Sequence, residues 1–170
     1  MARVVARAAQ ARGLPVALWG RGPRPLPPDL ADLRCEHGEA GLARLLAASD
    51  VLVCTLPLTP ATENLLDRAR LSQLPRGAYL IQVGRGEQLV EADLRALLDE
   101  GHLAGAALDV YRVEPPPPEH WAWQHPKVFA SPHIAGEARH ALVAATCLEA
   151  LQALREGRQP AGVVDRAAGY

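Results

Sequence analysis

Short apolar runs alternate with helix-like segments along the chain, the sequence sign of a parallel α/β sheet. Val4 to Arg12 holds good helix formers and stops at Gly13, a C-cap residue. Val16-Ala17-Leu18-Trp19 reads as a short buried strand, and Gly20 to Asp29 as a Gly/Pro/Arg loop. A helix over Gly41 to Ala48 is broken by Ser49-Asp50. Val51 to Leu56 is an uninterrupted apolar strand, the pattern of a sheet covered on both faces. Pro57-Leu58-Thr59-Pro60 turns the chain, and Arg68 to Leu74 predicts a short helix. Ala78 to Val83 is the next strand. Glu91 to Glu100 is amphipathic, with Leu94, Leu97 and Leu98 on one face and Gly101 as cap. Leu103 to Val110 is a strand that runs out at Asp109. A proline-rich connection, Pro115 to Pro118, leads to a last strand over Lys127 to Ala130. A long helix from Gly136 to Glu156 ends at Gly157. No internal repeat and no interdomain linker is visible.

Composition narrows the class. A chain of 170 residues, 49% apolar, can bury one proper core. A net charge of −1 gives no reason to expect a nucleic-acid or anionic-membrane partner. Arginine supplies nearly all the positive charge, since Lys127 is the only lysine. Cys35, Cys54 and Cys147 have no metal-ligand spacing, so no metal is expected and the thiols read as reduced and cytosolic. No apolar run approaches the ~20 residues of a membrane span. The start of the chain lacks a signal-peptide pattern, and the expected location is cytoplasmic.

Functional residues in open parallel sheets gather at the carboxyl ends of strands. Thr55, Arg85, Asp109 and His133 each follow an apolar strand. Taken singly, Arg85 reads as a solvated loop residue, Glu114 as a turn residue before proline, and His133 as a helix-cap or packing residue. Such residues at four successive strand ends favour a site. An arginine fork binds a carboxylate through two parallel hydrogen bonds. A carboxylate beside a histidine favours the protonated imidazole and fixes its tautomer. General acid catalysis of this kind is worth roughly 10²–10⁴ in rate.

These residues sit in Leu80-Ile81-Gln82-Val83-Gly84-Arg85-Gly86, in Ala106-Ala107-Leu108-Asp109-Val110 with Glu114-Pro115, and in Ser131-Pro132-His133-Ile134-Ala135. The three segments, and the spacing between them, resemble the D-isomer-specific 2-hydroxyacid dehydrogenases. The resemblance covers essentially the whole chain. It tightens toward the glyoxylate/hydroxypyruvate reductase A branch at Trp19-Gly20-Arg21, Gln73 to Leu80, Trp123-Gln124-His125-Pro126 and Val164 to Tyr170. It implies that Arg85 binds the substrate carboxylate and polarises its carbonyl. His133 would protonate the carbonyl oxygen as hydride arrives from the nicotinamide, with Glu114 holding His133 protonated. Asp109 would meet the nicotinamide carboxamide. Val83 and Gly84 would pass the cofactor with backbone contacts, and Ala135 and Gly136 would lie beside it. Leu56, Pro57, Leu58, Thr59 and Thr62 would flank its adenosine half. The full-length enzyme would be a homodimer.

Cofactor choice can be read from the loop after the first strand. NAD enzymes usually place an acid there for the ribose 2′-hydroxyl. Gly20-Arg21-Gly22-Pro23-Arg24 has none before Asp29. Arg21 and Arg24 can bind a 2′-phosphate, which favours NADP(H) over NAD(H). The alternative is that both are solvated loop charges. Trp121 and Trp123 read first as wedges that hold the proline-rich connection, and second as part of a substrate wall.

The expected fold is thus a Rossmann-like doubly wound parallel sheet lacking its first strand and glycine turn. Residues 1–157 would form a partial dinucleotide-binding domain, and 158–170 a tail returning to an absent substrate domain. In the order 3-2-1-4-5-6 the missing strand lies between Val16–Trp19 and Val51–Leu56 and leaves two unpaired edges facing each other. Each buried unpaired backbone group costs about 1–3 kcal/mol, against a domain stability of roughly 5–15 kcal/mol. The expectation is therefore the C-terminal part of a longer reductase of small 2-keto acids. The competing readings are a dinucleotide-binding sensor or corepressor-like protein, and an inactive truncated remnant.

Overall fold

The computed structural model describes residues 1–23, 26–136 and 140–164. Two compact units share the chain, Met1–His133 and Ile134–Tyr170. In the first, helices and strands alternate as the sequence pattern predicts. The order is α1 (Ala2–Gln10), β1 (Ala17–Gly20), β2 (Arg34–His37), α2 (Gly38–Ala47), β3 (Val51–Cys54), α3 (Arg68–Leu71), β4 (Ala78–Gln82), α4 (Glu91–Asp99), β5 (Leu103–Leu108) and β6 (Val128–Ala130). Single 3₁₀ turns occur at Pro28–Leu30, Gly86–Gln88 and Trp121–Trp123. The second unit holds α5 (His140–Arg155), closed by Gly157 at φ +66°. Among the described residues no helix is long and apolar enough to cross a membrane.

Every strand pair is parallel. The strands form two sheets, β1-β2 and β3-β4-β5-β6. Among the described residues β1 and β3 do not pair, which is the break expected in the order 3-2-1-4-5-6. Strand β2 lacks any apolar run and was not expected from the sequence. Its Glu36 accepts from Arg34 and Arg44, both at 2.6 Å, so charge pairing accompanies this outer strand. Charged side chains are usual on sheet edges.

The core of this unit is built mainly of leucine. Leu52, Leu80, Ala106 and Leu108 on the larger sheet cluster with Leu42, Leu45 and Leu46 of α2, Leu71 of α3, and Leu94, Leu97 and Leu98 of α4. Side chains alternate along a strand, so the neighbouring residues point the other way. There the expectation of cover on both faces fails: Val51, Tyr79 and Phe129 are 50%, 51% and 73% exposed. An apolar run records two apolar faces and not two covered ones. Elsewhere the ends shift modestly. Strand β3 stops at Cys54 because the carbonyls of Leu56 and Pro57 turn to a side-chain donor. Helix α3 keeps one turn, started by Asp67, which accepts from Arg70 N at 2.9 Å.

Leu80 lies in the second strand of the four-stranded sheet and has no exposed surface. Leu80→Ala is expected to lower unfolding free energy by about 2–5 kcal/mol in a urea titration.

Candidate active site

Because β3 to β6 are parallel, their carboxyl ends share one edge of the sheet. The loop after β4 carries Arg85, and its backbone is gripped on both sides. Arg85 N donates to Gln88 Oε1 at 2.9 Å, and Gln82 Nε2 donates to Arg85 O at 3.1 Å. Gln82 Oε1 also accepts from Gly84 N at 3.2 Å. Neither glutamine has any exposed surface. The arginine's flanking glycines are required by close approach. A Cβ on Gly84 would sit 2.4 Å from Gln88 Oε1, and one on Gly86 would sit 1.9 Å from the Tyr111 carbonyl carbon. Arg85 itself is exposed, with Nη1 donating to Gly84 O at 2.7 Å.

After β5 comes Asp109, buried, whose Oδ1 accepts from Ser131 Oγ at 2.7 Å. Tyr111 follows and is also buried, donating from its hydroxyl to Leu108 O at 3.1 Å. Burial, with the nearby charges of Asp109 and Glu91, pushes the Tyr111 phenol up to about 12, so it stays protonated. Its backbone N–H donates to Glu114 Oε1 at 3.0 Å. After β6 the chain brings His133 into a left-handed conformation, φ +56°, with its N–H donating to Asp109 O at 2.8 Å. That conformation is uncommon for a residue with a Cβ.

The result is a contact between two strand-end loops. His133 Nδ1 and Glu114 Oε2 are 2.7 Å apart. Partial burial pushes the Glu114 carboxyl up. The His133 hydrogen bond, the Tyr111 N–H, and the charges of His133 and Arg85 outweigh this and hold it below the ordinary carboxylate value. Arg85, Tyr111, Arg112, Glu114 and His133 line one open cleft of about 260 Å³.

The loop after β3 is self-contained. Thr62 is buried; its Oγ1 donates to Pro57 O and accepts from Thr59 N, both at 2.8 Å. That hydroxyl therefore shapes the loop from inside. Gln88 Nε2 donates to Leu56 O and Pro57 O, each at 3.0 Å. Val83 N donates to Cys54 O at 3.1 Å. Arg21, after β1, reaches this loop, with Nη1 donating to Thr59 Oγ1 at 3.5 Å. Arg24 and residues 165–170 lie outside the described residues, and Ala135 and Gly136 are exposed in the second unit.

Trp121 donates to Glu91 Oε2 at 2.8 Å and packs on the core, while Trp123 donates to Pro117 O at 3.0 Å. Trp123 thus braces the proline-rich connection, while Trp121 ties the turn that follows it to α4. Gln82, Gln88 and Tyr111 were missed. The available signal was Gln82, the one polar residue inside the apolar run Ala78 to Val83.

An open parallel sheet with its polar groups collected at the strand ends is a dinucleotide-binding domain of the Rossmann class. The chain belongs to the D-isomer specific 2-hydroxyacid dehydrogenases, and residues 1–135 match that family's NAD binding domain. Among similar solved structures is a D-isomer specific 2-hydroxyacid dehydrogenase from Xanthobacter autotrophicus Py2 in complex with NADPH and MES. It is 37% identical, with a TM-score of 0.91 over 99% of this chain and 68% of that one. The NADPH-dependent glyoxylate/hydroxypyruvate reductase of Sinorhizobium meliloti, solved with NADP and sulfate, is 34% identical, with a TM-score of 0.89 over 98% of this chain and 53% of that one. A family protein from Klebsiella pneumoniae 342 is 36% identical, with a TM-score of 0.85 over 97% of this chain and 52% of that one. This chain therefore spans about half to two thirds of the relatives it matches.

A carboxyl held below its ordinary value stabilises the fold above that value, and the contribution is lost as pH falls through the folded one. In thermal melts across pH, Glu114→Gln is expected to lower Tm near neutrality. The gap from wild type should close as pH drops below the carboxylate range.

Proposed function

We propose that this chain carries the dinucleotide and proton-donor half of an NADP(H)-dependent reductase of small 2-keto acids, of the glyoxylate or hydroxypyruvate type. The observation that carries the reading is the 2.7 Å contact between His133 and Glu114, in one cleft with Arg85. A 2-keto acid offers the two groups this cleft answers: a carboxylate and an adjacent carbonyl oxygen. Arg85 takes the carboxylate with its planar fork. The reduced nicotinamide, when bound, supplies hydride to the carbonyl carbon. His133 gives its proton to the carbonyl oxygen, which becomes the hydroxyl. With Nδ1 engaged by Glu114, that proton leaves from Nε2, and the ring is reprotonated from solvent. Glu114, ionised near neutral pH, accepts from Nδ1 and sets the ring's orientation.

The residues present fit the phosphorylated cofactor. No acid occurs between Gly20 and Asp29. Asp29 itself is paired with Arg3 at 2.9 Å and Arg7 at 3.5 Å. A 2′-phosphate near Arg21 would thus meet no free carboxylate from this loop. The relatives solved with NADPH or NADP support the same choice. Leu56, Pro57 and Thr62 would shape the wall for the adenosine half, with Arg21 and Arg24 on the phosphate. Val83, Gly84, Asp109, Ala135 and Gly136 would face the nicotinamide half. We assign residues 1–157 to the dinucleotide-binding part and 158–170 to the tail.

The test is NADPH oxidation by the protein with glyoxylate and hydroxypyruvate. His133→Gln should lower kcat by roughly 10²–10⁴. Well-folded wild-type protein that binds NADPH but turns over no 2-keto acid would overturn the reading. Arg21→Ala should weaken NADPH binding by about tenfold, the scale of one charge-assisted hydrogen bond. NADH binding should change far less, and equal losses for both would remove Arg21 from the phosphate site.

A further inference from the structure

We infer that Gln88 is a positioning residue that couples the dinucleotide loop after β3 to the backbone of Arg85, so that ordering either loop orders the other. The inference rests on the roles proposed above for Arg85 and for Leu56–Pro57. Gln88 lies in the loop after β4, on the 3₁₀ turn that follows Arg85, and its amide reaches across to the loop after β3. Its Oε1 accepts from Arg85 N at 2.9 Å and from the Cys54 thiol at 3.4 Å. Burial pushes that thiol up, so it keeps its proton and remains a donor. The Nε2 donates to Leu56 O and Pro57 O at 3.0 Å each. One planar, fully buried amide therefore joins the ends of two neighbouring strands, with no water able to replace a lost partner.

Space enforces the link as well as hydrogen bonding. Gln88 Oε1 lies so close over Gly84 that a Cβ there would be 2.4 Å away, and the Leu56 carbonyl would be 3.2 Å from the same Cβ. Loop, glycine and amide form one stack, so a shift at Leu56–Pro57 is passed to Arg85. Gln82 is the internal control. It is equally buried, holds Gly84 N and Arg85 O and also meets the Cys54 thiol, whereas among the described residues the side-chain amide on Leu56 O and Pro57 O is that of Gln88.

The experiment compares wild type, Gln88→Met, Gln88→Glu and Gln82→Met in the full chain, by two measurements. The first is amide hydrogen exchange without ligand. Gln88→Met should speed exchange roughly tenfold in both loops, the scale of a lost buried hydrogen bond. Gln82→Met should do so only around Gly84–Arg85. Gln88→Glu, measured at a pH where the carboxyl is ionised, keeps an acceptor for Arg85 N but cannot donate to Leu56 O or Pro57 O. It should loosen the 56–59 loop alone, and it decides the matter if Gln88→Met does not fold. The second measurement is NADPH affinity with and without oxalate, a dicarboxylate probe for Arg85. Wild type should show each ligand tightening the other severalfold. Gln88→Met should abolish that linkage, and Gln82→Met should weaken oxalate yet keep it. Equal loosening of both loops in the Gln82 and Gln88 variants would overturn the inference, as would linkage that survives Gln88→Met. If wild type binds neither ligand, the functional reading fails on its own, and the exchange data alone judge the coupling.

Discussion

The hydrogen-bond ladder of the four-stranded sheet does not stop where the strands do. Val83 N donates to Cys54 O, Asp109 N to Gln82 O, Ser131 N to Leu108 O and His133 N to Asp109 O, all between 2.8 and 3.1 Å. Each donor lies in a loop one strand over from its acceptor, or in the loop beside it. The loops therefore inherit the parallel register of β3 to β6 for a residue or two past the regular structure. This is what brings Glu114 and His133, nineteen residues apart, to hydrogen-bonding distance. It also lets His133 hold its left-handed conformation, since the cost of roughly 1–3 kcal/mol is offset by the fixed contacts on either side.

Around Arg85 the sheet has buried polar groups where a core would normally be apolar. An amide taken from water without a partner is costly, on the order of several kcal/mol. Gln82 and Gln88 avoid the cost because both ends of each amide are bonded. Apart from the Cys54 thiol, the partners are backbone groups of the turning chain. The glutamines thus complete the ladder at the point where the chain must leave it.

The sequence made the alternation of elements legible, and with it the shared edge holding Arg85, Asp109 and His133, because apolar runs mark parallel strands and residues after them mark their ends. The break between β1 and β3 was legible for the same reason. Strand β2 was not, because Arg34, Glu36 and His37 give it no apolar signal and only its neighbour β1 defines it. The uncovered face with Val51, Tyr79 and Phe129 was misread, because hydropathy reports what a face is made of and not what lies against it. Gln88 escaped notice because nothing in Gly86-Glu87-Gln88-Leu89 distinguishes an amide turned inward from one turned to solvent.

The grip on position 85 is made through peptide atoms, N and O, and through the absence of side chains at 84 and 86. The guanidinium adds one bond of its own, from Nη1 to Gly84 O. The protein has in effect a socket, and arginine is what is plugged into it. A scaffold built this way holds position 85 by its backbone, so a designer can change the side chain there without redesigning the core.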